Sequence, residues 1–447
     1  MIFPKAFVLL VIICLHLQPT FAGKLSPSLS SPTSRSKIQA RKAALQTAEW
    51  IRSRGIRSPN GMTWPADPDD PETVDLTLYT GMPGIVLFFL QVYQTTGDKS
   101  YLTEAQQGAD HLISSLEAEK RNGLYLGISG IGFVLQETFK VTKNEKYRTG
   151  AQTCVRMLRE RAQESGAGVQ WNAVTDIISG ISGTGLFLLY AAREHNDKQA
   201  LELATKAGER MIELGQPANG GLKWAMSPTT KNLMPNFSHG TAGNGYFLAT
   251  LYEQTKERKF LDAALKGAAY LKSIAETEGR TCSIFHNEGE EGKHLHYLGW
   301  CHGPAGTARL FYRLYKSTGD REWLTLTENS ARSVLKSGSP EKRLPGFWNN
   351  VGQCCGNAGI GEFFLDLYKV TRKREYLRFA KRMNDDLLAR STTEGKGLKW
   401  VHAENRTAPN NLLAQTGYMQ GAAGIGMALL HLDSVERGKQ WKVRLRE

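Results

Sequence analysis

At 447 residues the chain admits one large domain or several, because length sets only a soft prior. Lys and Arg total 56 against 43 Asp and Glu, a formal charge of +13 spread along helix-like segments. Spread charge reads as a solvated face and gives no reason to expect nucleic acid, nor a membrane partner once an N-terminal leader is removed.

In chain order, the first element is residues 1–22, "MIFPKAFVLLVIICLHLQPTFA". Lys5, an apolar run from Phe7 to Leu17 and Ala22 before Gly23 have the pattern of a secretory signal peptide, so the mature chain is expected to enter the secretory pathway. The apolar run is short for a membrane span, and an uncleaved anchor is the alternative. Residues 23–36 are Ser- and Pro-rich and read as a flexible linker. Of six cysteines, Cys14 leaves with the leader. Cys154, Cys282, Cys301, Cys354 and Cys355 remain, and an odd number implies at least one thiol that is free or bound to metal.

From residue 37 to 433 one short turn recurs seven times as Gly-x-x-Gly, beginning at Gly81, Gly127, Gly180, Gly240, Gly303, Gly356 and Gly421. Each opens a helix-length apolar stretch. A second punctuation, of the kind "TTGDKSYL", "HNDKQAL" and "TGDREWL", follows these stretches and precedes an amphipathic helix pattern. The unit is therefore a helical hairpin, one helix nearly all apolar and one charged on one face. Closing seven hairpins into a ring removes the polar caps that an open array needs, which predicts an all-α fold, an α/α toroid (double barrel). Residues 434–447 form a basic tail.

In such a ring the glycine turns gather at one mouth. The fifth and sixth turns, "GWCHGPAG" and "GQCCGNAG", place Cys301 and Cys354 two residues before their glycines, with His302 and Cys355 one before. Three thiols from neighbouring turns, with His302 as a further candidate, form a metal-site pattern, and soft thiolates favour zinc. Structural cysteines, or a disulfide from Cys301 to one of the pair, are the alternative. Cys154 and Cys282 fall outside the turns and read as buried thiols or a disulfide. The fourth turn, "NFSHGTAG", sets His239 at the same mouth, and the third places Asp176 four residues before Gly180. Asp176 is either a local cap or a carboxylate that orients His239 or a substrate amide.

The turns "SHGTAG", "WCHGPAG" and "CCGNAG", in that order, resemble those of the LanC-like family, the lanthionine synthetase cyclases and their relatives. The resemblance implies seven inner and seven outer helices with a zinc ion at the mouth. Cys301 and Cys354 match the family's two zinc cysteines. Cys355 stands where the family usually has a histidine, and a third thiolate is expected to make a bound thiolate more nucleophilic and the ion a weaker Lewis acid. The leader is a second departure, since the relatives are mostly intracellular.

The resemblance implies a zinc-activated thiol, from a peptide cysteine or glutathione, adding to dehydroalanine or dehydrobutyrine and forming a thioether. His239 would donate the α-proton and Asp176 would orient it. Trp300, beside Cys301, is expected to wall the site, and His302 to belong to the substrate pocket. A monomer is expected. Two rivals remain. A non-catalytic zinc scaffold binding peptides or glutathione would not require His239 and Asp176. An α/α-toroid glycoside-processing enzyme needs two carboxylates, and near the turns only Asp176 and Glu362 come into question, of which Glu362 falls inside its helix. The sequons at Asn236 and Asn405 are potential glycan sites, and a glycan at Asn236 would crowd the mouth.

Overall fold

A computed structural model describes residues 35–343 and 350–439; the leader and most of residues 23–36 lie outside the described residues. The inner helices are α2 (Met82–Thr96), α4 (Ile128–Thr142), α6 (Ile181–His195), α8 (Thr241–Thr255), α11 (Pro304–Thr318), α13 (Asn357–Thr371) and α15 (Ala422–Glu436). The outer helices are α1 (Arg35–Arg52), α3 (Lys99–Ser114), α5 (Glu145–Arg161), α7 (Lys198–Glu213), α9 (Arg258–Ile274), α12 (Arg321–Lys336) and α14 (Arg374–Ala389). A single-turn helix, α10 (Glu290–Lys293), lies in the loop between α9 and α11. Helix α1 takes in Arg35 and Ser36, the end of the expected linker, and α15 runs three residues into the expected tail. Among the described residues no helix is long and apolar enough to cross a membrane.

Each inner helix packs on the next around an α/α toroid, and α15 returns to α2. Every outer helix packs on the inner helix that precedes it, except α1, which packs on α15. The first outer helix thereby completes the last hairpin and holds the two ends of the fold together.

Local chemistry explains the two punctuations. Six of the seven inner helices, all but α15, end on a left-handed residue, such as Gly97, Asn196 or Gly319. The next residue caps the outer helix in four of the six links, with Asp98, Asn144, Asp197 and Asp320 accepting from backbone N–H groups. The second glycine of each turn is set by crowding rather than by torsion. A Cβ at Gly306 would lie well inside contact distance of the Trp300 carbonyl oxygen, because the loop folds back over the first helical turn.

Short antiparallel ribbons follow four outer helices: β1 (Ile56–Ser58) with β2 (Gly61–Thr63), β3 (Gln163–Ser165) with β4 (Gly168–Gln170), β5 (Gln216–Ala218) with β6 (Gly221–Lys223), and β7 (Thr392–Glu394) with β8 (Gly397–Lys399). Each ends on a buried tryptophan: Trp64, Trp171, Trp224 or Trp400. The last three donate their indole N–H at 2.7 Å to a carbonyl in the last turn of the preceding helix, those of Leu158, Met211 and Leu387. A fifth ribbon, β9 (His402–Ala403) with β10 (Leu412–Leu413), projects its loop over the mouth.

Candidate metal and acid–base site at the mouth

The loops that enter the inner helices are stitched into a closed belt by backbone hydrogen bonds. Tyr79 N–H donates to Tyr125, Tyr125 to Ile178, Ile177 to Ser238, Ser238 to Cys301, Cys301 to Cys354, Cys354 to Met419, and Met419 back to Tyr79, at 2.8–3.3 Å. Tyr79, Tyr125, Ile178, Ser238, Cys301, Cys354 and Met419 each stand two residues before their glycine. The repeat offset read from the sequence is thus an actual ring of neighbours.

Two members of that belt are Cys301 and Cys354. With Cys355 they form a buried group whose sulfurs all lie within 4.8 Å of one another, and the Cys301 and Cys355 sulfurs are 3.1 Å apart. Hydrogen bonds from Cys301 and Cys355 pull the Cys354 thiol well below its usual range, while Cys301 is pushed up, first by burial and then by its two sulfur neighbours. One thiolate is therefore favoured and further negative charge is resisted, which a cation would reverse. Three converging soft donors fit a metal ion. Cys154 and Cys282 are free, buried thiols, pushed up by burial to about 12 and about 11.

Beside the sulfurs, His239 Nδ1 lies 2.6 Å from Asp176 Oδ2. Asp176 is 1% exposed, and its Oδ1 accepts from the Ser179 and Gly180 N–H groups at 2.8 and 2.9 Å. The two readings of Asp176, local cap and partner of His239, are both satisfied, one by each oxygen. Asn236 Oδ1 accepts from His239 N–H at 3.1 Å and fixes the loop that carries the imidazole.

The three cysteines and His239 share a cavity of about 320 Å³ lined also by Tyr79, His286, Tyr297, His302 and the loop Glu404–Thr407. His302 lines the cavity with its ring 4.5 Å from that of His286, and burial lowers the basicity of both imidazoles. Trp300 does not line it. This corrects the expectation that it walls the site: its ring packs at 5.3 Å on Tyr125 and 5.5 Å on Phe237 in the buried interior. Backbone alternation across the belt explains the reversal, since Leu78, Leu124, Ile177 and Phe237, also three residues before their glycines, are buried likewise. Glu362 stands inside a helix, as its place in the sixth repeat implies. It lies on α13 with Oε2 2.6 Å from His431 Nδ1.

Residues 72–443 match the family described as Lanthionine synthetase C-like protein. The chain belongs to this family. Glutathione S-transferase LANCL1 of Danio rerio is 20% identical over 309 residues, 68% of this chain and 72% of that relative. Nisin biosynthesis protein NisC of Lactococcus lactis subsp. lactis is 23% identical over 265 residues, 53% of this chain and 62% of that relative. The structure of Nisin cyclase superimposes with a TM-score of 0.63 at 19% identity, covering 90% of this chain and 95% of that one. The GH76A α-1,6-mannanase of Salegentibacter sp. HEL1_6 reaches 0.50 at 14% identity over 89% of this chain and 99% of that one. At these identities the structural likenesses establish the fold alone.

Within this lanthionine synthetase C-like chain, sequence reasoning passed over Tyr79 and Gln420 because the first and seventh turns carry no cysteine or histidine. Their offsets, two and one before the glycine, are those of Cys354 and Cys355. His286, Tyr297 and the Glu404–Thr407 loop lie outside any repeat unit, and no spacing marks them.

Proposed function

We propose that this chain joins a thiol to the β-carbon of a dehydroalanine or dehydrobutyrine residue, with zinc held by Cys301, Cys354 and Cys355. The observation that carries the reading is one pocket lined by three converging thiols and by His239, whose ring is held from behind by Asp176. Zinc bound to thiolates supplies the Lewis-acid chemistry that keeps a substrate thiol ionised at neutral pH.

The chain's own part is proton delivery. As sulfur bonds to the β-carbon, the alkene electrons move to the α-carbon and its carbonyl, and the α-carbon then takes a proton, so the addition involves no net oxidation. Asp176 accepts from His239 Nδ1–H, which leaves Nε2 as the nitrogen for that transfer. Asp176, held by two backbone N–H groups, keeps the ring from turning away.

The size of the cavity favours a thiol of about tripeptide size, at the small end of ordinary ligand pockets. The relative named as a glutathione S-transferase supports that choice. Ring closure within one peptide, as in the nisin relatives, needs the same bond to form and is the second substrate to try. The glycoside reading finds little support: of the two carboxylates considered, Asp176 is committed to His239 and Glu362 faces His431.

Incubating the zinc-loaded chain with glutathione and a dehydroalanine peptide tests the proposal. A thioether adduct in the mass spectrum, formed faster than without protein, is expected. Binding of either partner with no adduct would favour the scaffold reading instead.

A further inference from the structure

Outside the acid–base pair, a chain of side-chain amides and a phenol runs up to the sulfur cluster, and its hydrogen bonds have a fixed direction. Gly352 N–H donates to Asn350 Oδ1 at 2.8 Å, so the Asn350 amide nitrogen is the end left to donate. It donates to Gln420 Oε1 at 3.1 Å, which turns Gln420 Nε2 toward the site. Gln420 Nε2 donates to the Tyr79 hydroxyl at 3.0 Å and also lies 4.0 Å from the Cys355 sulfur. With its oxygen accepting from Gln420, the Tyr79 hydroxyl has its own proton to give, in the pocket that Cys354 also lines. His402 Nε2, 2.6 Å from the Gln420 carbonyl oxygen, holds the backbone of that residue in place.

We infer that Tyr79 and Gln420 are positioning residues that donate hydrogen bonds to the Cys354 and Cys355 thiolates and offset the charge of an all-sulfur metal site. The inference rests on the metal-binding part of the reading above. Three thiolates carry one negative charge more than a divalent ion neutralises, and a fourth sulfur would add another. In a buried pocket that surplus is costly unless donors face the sulfurs. Among the described side chains, Gln420 faces Cys355 with a donor and Tyr79, bonded to Gln420, lines the pocket with Cys354; neither reaches the His239 side of the pocket by any hydrogen bond described. Partners of this kind tune a metal centre through its ligands, and losing them ordinarily weakens metal binding 10–100-fold.

The test uses cobalt(II) in place of zinc and requires no turnover. The full chain, Tyr79→Phe and Gln420→Leu are loaded with cobalt, and the sulfur-to-metal charge-transfer band and the affinity in competition with a chelator are measured. Circular dichroism confirms that each variant is folded. Each substitution is expected to move the band to lower energy, because a thiolate without its donor gives up electrons more readily, and to weaken binding about 10–100-fold. The double variant should move the band further. Unchanged band and affinity in folded variants would overturn this inference while leaving the metal site intact. Failure of the unsubstituted chain to take up cobalt would overturn the metal reading and this inference with it.

Discussion

Asp176 gives the sharpest separation of structural from chemical roles, because its two oxygens do different work. Oδ1 takes the Ser179 and Gly180 N–H groups, and Oδ2 takes His239 Nδ1–H. Asp176→Asn keeps one oxygen for the backbone and turns an NH₂ group toward the imidazole. Nδ1 must then accept rather than donate, and the ring can no longer carry a proton on both nitrogens in that position. Thioether formation should fall about 10²–10⁴-fold, the usual contribution of a positioned acid, with little change in stability. Asp176→Ala removes both oxygens and strands the buried Gly180 N–H and the half-buried Ser179 N–H. At about 1–3 kcal/mol for an unsatisfied buried group and less for the half-buried one, it should destabilise the fold by about 1–5 kcal/mol. Initial rates on a dehydroalanine peptide and urea unfolding read the two effects separately. An Asp176→Asn variant with the parent's rate would refute the orienting role, and an Asp176→Ala variant of parental stability would refute the capping role.

Three further outcomes follow from the same geometry. Cys355→Ala should lose most of its metal by elemental analysis, since it removes one of three converging sulfurs; full occupancy would assign the third ligand elsewhere. Gly306→Ala should unfold at markedly lower denaturant than the parent, because its Cβ meets the Trp300 carbonyl oxygen and, at 2.8 Å, Phe237 Cβ, and a parental midpoint would mean the loop gives way freely. Expressed through a eukaryotic secretory pathway, the chain should begin near Gly23 and carry its glycan at Asn405, which is exposed on the loop over the mouth, whereas Asn236 is 1% exposed. Glycosidase digestion of Asn405→Gln and Asn236→Gln, with N-terminal sequencing, reads both points.

The toroid was legible because its unit is written in the chain seven times with local physical causes: glycine where loop and helix cross, and in four of the six links a capping side chain where the outer helix starts. The thiol cluster and His239 were legible for the same reason, since equal offsets in adjacent copies become neighbours on the belt. The closure of α1 on α15 was not, because no local pattern marks a contact between the two ends of a chain. A second repeat, "GMTW", "GVQW", "GLKW" and "GLKW", was not used, although the tryptophans of its last three copies clamp the ribbons to the outer helices. Trp300 was misplaced because adjacency to Cys301 along the chain says nothing of direction, and backbone alternation sends it inward. Asn236 looked like a glycan site by its sequon, but its amide is spent on the His239 loop and on the His286 carbonyl oxygen.

The central claim is that His239 delivers a proton to the α-carbon of a thioether formed at a metal site in the same pocket. The configuration of that carbon tests it most directly. With the zinc-loaded parent chain, glutathione and a dehydrobutyrine or dehydroalanine peptide in deuterated water, one α-epimer of the adduct, labelled at the α-carbon, should form. His239→Asn should keep its zinc, lose about 10²–10⁴-fold in rate and give both epimers at its residual rate. A single epimer at the parent's rate from His239→Asn would contradict the account.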